Sequence, residues 1–218
     1  YRSAHEADAK QAIDLLVRFR TGQANESDLL DFVRDRDRRL QLEMDSANFN
    51  PFFTRTLTKE FPESKFILTV RDCFSWVNSA INQLLNNPNS TGPWFMWRNT
   101  IFGELKDCVY SEQETILRDN QIWNLDCLFS AWAEHYNIVL ESVPNEKILL
   151  VNTLELQKSG NMIAEFLGVS PETLNLSGAY AYRTPKNYDL LAKIDQDFVN
   201  SRAQQHCDAL MKRFYPKS

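Results

Sequence analysis

The sequence predicts an α/β fold, a three-layer sandwich in which a mainly parallel sheet carries helices on both faces. Two runs carry that expectation. Lys65–Arg71 and Lys147–Asn152 are continuously apolar between polar or charged ends, the pattern of strands covered on both faces. Each lies between segments whose apolar residues recur at helical spacing, and strands alternating with helices build parallel sheets. A third strand is expected at Arg39–Met44, where Leu40, Leu42 and Met44 alternate with Arg39, Gln41 and Glu43.

The remaining elements follow in order. Ile13, Leu16 and Val17 mark a helix from Ala7 to Arg20, stopped by Thr21-Gly22, and a second helix is expected from Ser27 to about Arg36. Asn50 is placed to cap a helix that starts at Pro51 and buries Phe52, Phe53, Leu57 and Phe61. A helix from about Cys73 to Leu85 follows the second strand directly, and Asn86–Pro93 is the strongest loop signal in the chain. Ser111 and Glu114 form a capping box that opens helical patterning through Trp123, Leu128, Trp132, Tyr136 and Val139. Met162–Leu167 is a helix stopped by Gly168, and a last helix is expected from Asp189 to Phe214. No leading strand is visible at Tyr1–Glu6, and three strands are few for such a sheet. The chain is therefore expected to lack a strand at its front.

With 218 residues, 43% of them hydrophobic, residues 1–218 suit a single domain. A net charge of -5 argues against a broad footprint for nucleic acid, while a local basic pocket for a small anion stays compatible with it. Cys73, Cys108, Cys127 and Cys207 lack the close spacing of a zinc or redox motif, so no metal is expected. No run of about 18 apolar residues marks a membrane span, and residues from Tyr1 on do not show the charged-then-apolar pattern of a signal peptide. The protein is expected to be cytoplasmic.

Ligands in open α/β sheets gather at the carboxyl ends of strands, and three such ends here are polar: Asp45-Ser46, Arg71-Asp72 and Asn152-Thr153. At the middle one, Arg71 precedes a helix that carries Ser79 eight positions on. A guanidinium and a hydroxyl so placed can share one phosphate, because the planar fork of arginine donates paired, charge-assisted hydrogen bonds. The alternative is that Arg71 pairs with Asp72 or another carboxylate and Ser79 faces solvent.

The stretch Phe61-Pro-Glu-Ser-Lys-Phe-Ile-Leu-Thr-Val-Arg-Asp-Cys-Phe-Ser-Trp-Val-Asn-Ser79 resembles the motif with which sulfotransferases bind the 3′-phosphate of 3′-phosphoadenosine 5′-phosphosulfate (PAPS). Lys147–Asn152, followed by Ile163-Ala-Glu-Phe-Leu-Gly168, resembles the later strand and helix of the same enzymes. The resemblance implies a P-loop-like architecture and transfer of a sulfuryl group from PAPS to a hydroxyl or amine of a small-molecule, glycan or peptide acceptor. It assigns the 3′-phosphate to Arg71 and Ser79. Family members also open with a strand and a glycine-containing phosphate loop that grips the 5′-phosphosulfate, and neither is visible here. The 218 residues are accordingly expected to be inactive alone.

The resemblance further places a catalytic glutamate near Glu6, with His5 beside it; either can take the acceptor proton, and a solvated surface pair is the alternative. Asp45 either orients the acceptor hydroxyl or caps the following turn. Arg183 and Lys186 lie where the family closes a basic loop over the nucleotide, or else in a solvated loop. Trp94, Phe95, Trp97 and Phe102 either wall an acceptor pocket or pack the core. Two other functions remain open at this point: a non-catalytic nucleotide-binding or interaction module, and a P-loop kinase relative.

Overall fold

A computed structural model of the chain describes residues 2–88, 92–175 and 185–216. The chain divides into two compact units. The first comprises Tyr1–Ser64, Asn89–Cys108 and Glu134–Val143; the second comprises Lys65–Pro88, Val109–Ala133 and Pro144–Ser218.

The first unit opens with a strand that the sequence did not signal. β1 (Ser3–His5) pairs in parallel with β2 (Met44–Ser46), with Ala4 opposite Asp45 and His5 opposite Ser46. Three residues are too few to display a period of two, which is why β1 escapes a pattern search. β2 also lies later than the expected Arg39–Met44 strand. α1 spans Ala9–Arg20, and α2 spans Glu26–Leu40. Gln41 closes α2 in a left-handed conformation with φ 46°. Arg39 continues the helix because its guanidinium meets Asp35 at 2.6 Å one turn back and Asp8 at 2.8 Å. Cations in the last turn also suit the helix dipole. At the other end Asn25 accepts from the Ser27 and Asp28 amides, a cap that stabilises α2 by about 1 kcal/mol.

Asn50 does not cap the next helix. Its amide donates to Asp45 at 3.1 Å, and Asn50–Phe53 forms a 3₁₀ turn before α3 (Thr54–Glu60). α5 (Pro93–Phe102) completes the unit. The core gathers Ile13 and Leu16 of α1, Leu29 of α2, Phe49, Phe53 and Trp97. Phe53 stacks on Phe32 with centroids 5.4 Å apart, and Trp97 meets Phe52 edge-on at 4.9 Å. A fully buried ring such as that of Phe53 stabilises the unit by about 2–3 kcal/mol.

In the second unit β3 (Phe66–Val70) pairs in parallel with β4 (Ile148–Asn152), Leu68 opposite Leu150 and Val70 opposite Asn152. Both strands fall where the apolar runs predict them. β3, however, buries Leu68 and Val70 and leaves Ile67 and Thr69 exposed. Among the described residues the strand is thus covered on one face, not on both. α4 (Cys73–Asn86) follows at once, and α8 (Gly160–Leu167) ends at Gly168 in the left-handed region.

The helical patterning after Ser111 breaks in two, α6 (Thr115–Asp119) and α7 (Leu125–Ser142). Gln121 turns left-handed between them, and Asn124 restarts the helix by accepting from the Cys127 amide at 2.9 Å. The buried Glu114 carboxylate holds the break: it accepts from Ser111 and from the Leu125 amide at 2.7 Å. The capping box read from the sequence is present, with this added role. α9 (Gln196–Phe214) starts later than expected, capped by Asp195, whose side chain accepts from the Phe198 amide. No helix is long and apolar enough to cross a membrane among the described residues.

Candidate active site

β3 delivers Arg71 to the start of α4. Asp72 caps that helix, its carboxylate accepting from the Ser75 amide at 2.9 Å and from the Ser75 hydroxyl. Arg71 Nε donates to the Ser75 hydroxyl at 3.0 Å, so Asp72 steers Arg71 through an intermediate serine. The backbone here is tied from two sides. Trp132 Nε1 donates to the Arg71 carbonyl at 3.0 Å, and the Thr153 hydroxyl donates to the Val70 carbonyl at 2.9 Å. The last contact joins two of the polar strand ends seen in the sequence.

Ser79 stands one turn beyond Ser75 on α4, half-buried, and its hydroxyl has no partner among the described residues. Further along, the buried Asn82 donates to Asn187 at 2.7 Å and accepts from the Tyr188 amide at 2.8 Å. Asn86 donates to the Lys186 carbonyl at 2.8 Å, and the Lys186 ammonium sits 4.4 Å from the centre of the Tyr188 ring. Asn86 lies roughly 16 Å beyond Ser75 along the helix axis. Arg71 and the Lys186 backbone therefore mark opposite ends of α4, with Ser79 between them. Arg183 lies outside the described residues.

Tyr215 reaches the same strand end from the close of α9. Burial and the Asp72 carboxylate push its phenol above the ordinary value, with Arg71 pulling the other way. Cys73 and Cys207 are both buried. A hydrogen bond to Cys73, together with burial, holds the Cys207 thiol far above its usual range. So raised, the Cys207 thiol is not a nucleophile. An open groove of about 450 Å³ between α4 and α9 is lined by Phe74, Ser75, Asn78, Asp189 and Gln196. It carries no cation and does not suit a phosphate.

In the first unit, the carboxyl end of β1 holds His5 and Glu6. Glu6 adopts φ 52° and Asp8 φ 56°, two left-handed residues in a space of three. Such strain costs about 1–3 kcal/mol per residue and concentrates at functional sites. The Glu6 amide donates to the Ser46 carbonyl at 2.7 Å, while its carboxylate has no partner among the described residues. His5 Nδ1 is 3.4 Å from the Ser46 hydroxyl. Asp45 is committed elsewhere: both its oxygens face Arg36, at 2.6 and 2.9 Å, and Asn50 adds a third contact. Trp97 is core, whereas Phe95 is half exposed.

Sequence reasoning passed over Ser75, Arg36 and Tyr215. Asp72 three positions before Ser75 is a capping signal that was legible; the Arg36–Asp45 pair and Tyr215 depend on tertiary placement. One further arrangement imitates a hydrolase triad: His206 lies 2.7 Å from Asp126 and 3.1 Å from Ser130. The Ser130 hydroxyl, however, donates to the Asp126 carbonyl at 2.6 Å within α7. Its proton is spent, so the group tethers α9 to α7. Among the described residues no cluster of three or more His, Cys, Asp or Glu is arranged to hold a metal.

A family profile described as Sulfotransferase domain matches residues 9–174, and the chain belongs to the sulfotransferase family. The chemistry of that family is sulfuryl transfer. A search of curated proteins returned no match.

Proposed function

We propose that the protein transfers a sulfuryl group from PAPS to a hydroxyl or amine of a small-molecule, glycan or peptide acceptor, without a metal. We read residues 1–218 as one domain of three-layer, P-loop-like architecture; the family match runs through residues of both units and supports this. The carrying observation is Arg71 at the end of β3, aimed by Ser75 and Asp72, with the unpartnered Ser79 hydroxyl one turn on.

In this reading Arg71 and Ser79 bind the 3′-phosphate. Arg71 supplies charge-assisted donors and Ser79 a neutral one. Lys186, and Arg183 outside the described residues, add positive charge over the nucleotide. Glu6 accepts the acceptor proton as the acceptor oxygen or nitrogen bonds to sulfur; the sulfur–oxygen bond to the 5′-phosphate breaks, and adenosine 3′,5′-bisphosphate leaves. The uncommitted Glu6 carboxylate supports that role better than Asp45, whose oxygens are held by Arg36. His5, beside Ser46, orients the acceptor or substitutes as base.

Calorimetric titration of adenosine 3′,5′-bisphosphate into the protein and its Arg71→Ala variant tests the reading. Loss of a charge-assisted phosphate contact weakens binding by about 2 kcal/mol or more. Equal affinities would remove Arg71 from the site and the reading with it.

A further inference from the structure

We propose that Tyr215 is a phosphate ligand of the Arg71 site, its phenol hydroxyl donating to the 3′-phosphate of the nucleotide; this rests on the reading of Arg71 as the phosphate-binding arginine. The end of α9 is fixed beside β3 by a short chain of contacts. The Phe214 ring lies edge-on to Trp132, centroids 6.2 Å apart, and the Trp132 indole donates to the Arg71 carbonyl at 3.0 Å. The next residue, Tyr215, is half-buried and close enough to Arg71 and Asp72 to feel their charges.

Its hydroxyl is an unspent donor. It makes no hydrogen bond among the described residues, and it is not sealed from solvent. The other hydroxyl nearest Arg71 is spent: the Ser75 hydroxyl donates to Asp72 and accepts from Arg71 Nε. A phosphate held by the guanidinium presents several oxygens, more than Ser79 alone can satisfy. Tyr215, kept protonated by burial and by Asp72, offers a neutral donor that adds no further negative charge. Asp72 itself does not bar an anion, because its carboxylate is engaged by the Ser75 amide and hydroxyl.

The test compares adenosine 3′,5′-bisphosphate with adenosine 5′-phosphate, which lacks the 3′ group, on the wild type, Tyr215→Phe and Arg71→Ala. Tyr215→Phe keeps the ring and removes only the hydroxyl, and a thermal melt of each variant verifies folding. The expected result is a loss of about tenfold in affinity for the bisphosphate in Tyr215→Phe, with affinity for the monophosphate unchanged. Wild-type bisphosphate affinity in Tyr215→Phe beside a weakened Arg71→Ala overturns the role of Tyr215 and leaves the site. Equal losses for both nucleotides assign the hydroxyl to the adenosine and also overturn it. Wild-type affinity in Arg71→Ala overturns the site itself.

Discussion

The two parallel strand pairs solve the same problem, holding a polar group at a strand end, with different means. β3 and β4 are five residues each and apolar, and the backbone at the end of β3 is clamped by the Trp132 indole and the Thr153 hydroxyl. β1 and β2 have three residues each, and side chains fix them: Arg36 and Asn50 grip Asp45, and Glu43 accepts from the Arg2 amide at 2.8 Å. The first arrangement leaves a cation steered by a serine. The second consumes one carboxylate in the clamp and leaves Glu6, in a left-handed backbone, uncommitted. An apolar pair can thus aim a side chain without using it, whereas a short polar pair must sacrifice some of its own polar groups.

Substitutions sharpen that contrast. The largest effect is expected for Trp132→Ala, which empties a fully buried site and releases the Arg71 carbonyl. Denaturant unfolding should show a loss of about 3–5 kcal/mol, and a loss under about 1 kcal/mol would mean that the clamp is not structural. Arg36→Ala leaves the Asp45 carboxylate partly buried with Asn50 alone, at a cost of about 2 kcal/mol. Arg36→Ala combined with Asp45→Ala should recover part of that loss; no recovery would show that the pair is not coupled.

A pH effect of intermediate size is expected at His135 of α7, where burial lowers its pKa from 6.5 to about 4. The folded state binds the proton less readily than the unfolded chain. The stability is therefore complete above about pH 6.5 and is lost as pH falls toward 4. Melting temperatures of the wild type should drop through that window more steeply than those of His135→Gln, and superimposable profiles would place the ring in solvent. The smallest effect is reserved for Arg34→Ala. Its bidentate contact with Glu60, at 2.7 and 2.9 Å, is solvent-exposed, and exposed pairs contribute little. A melting temperature within error of the wild type is expected.

Much of the second unit was legible because apolar runs and caps mark positions along the chain: β3, β4, the Ser111–Glu114 box and the stop at Gly168 lie where patterning puts them, although the run of β3 overstates its burial, with Ile67 and Thr69 exposed. The first unit was read less well for physical reasons. β1 is shorter than any period, and the Arg39–Met44 alternation competes with helix-forming residues joined by an ion pair one turn apart. Within the site, Arg71 and Ser79 are visible as a spacing. That Ser75 mediates between Arg71 and Asp72, that Arg36 occupies Asp45, and that Tyr215 arrives from the chain's far end are facts of tertiary placement which no local pattern encodes.

The division of labour between the two strand ends meets its most direct test at Glu6. Glu6→Gln, in the complete natural chain, is measured for sulfate transfer from labelled PAPS to a panel of hydroxyl and amine acceptors, and for affinity toward adenosine 3′,5′-bisphosphate. If Glu6 is the proposed general base, turnover falls by about a hundredfold or more, and nucleotide affinity, which the proposal assigns to Arg71, stays at the wild-type value. Unchanged turnover, or an affinity that falls together with it, would contradict the assignment of chemistry to Glu6 and of nucleotide binding to Arg71.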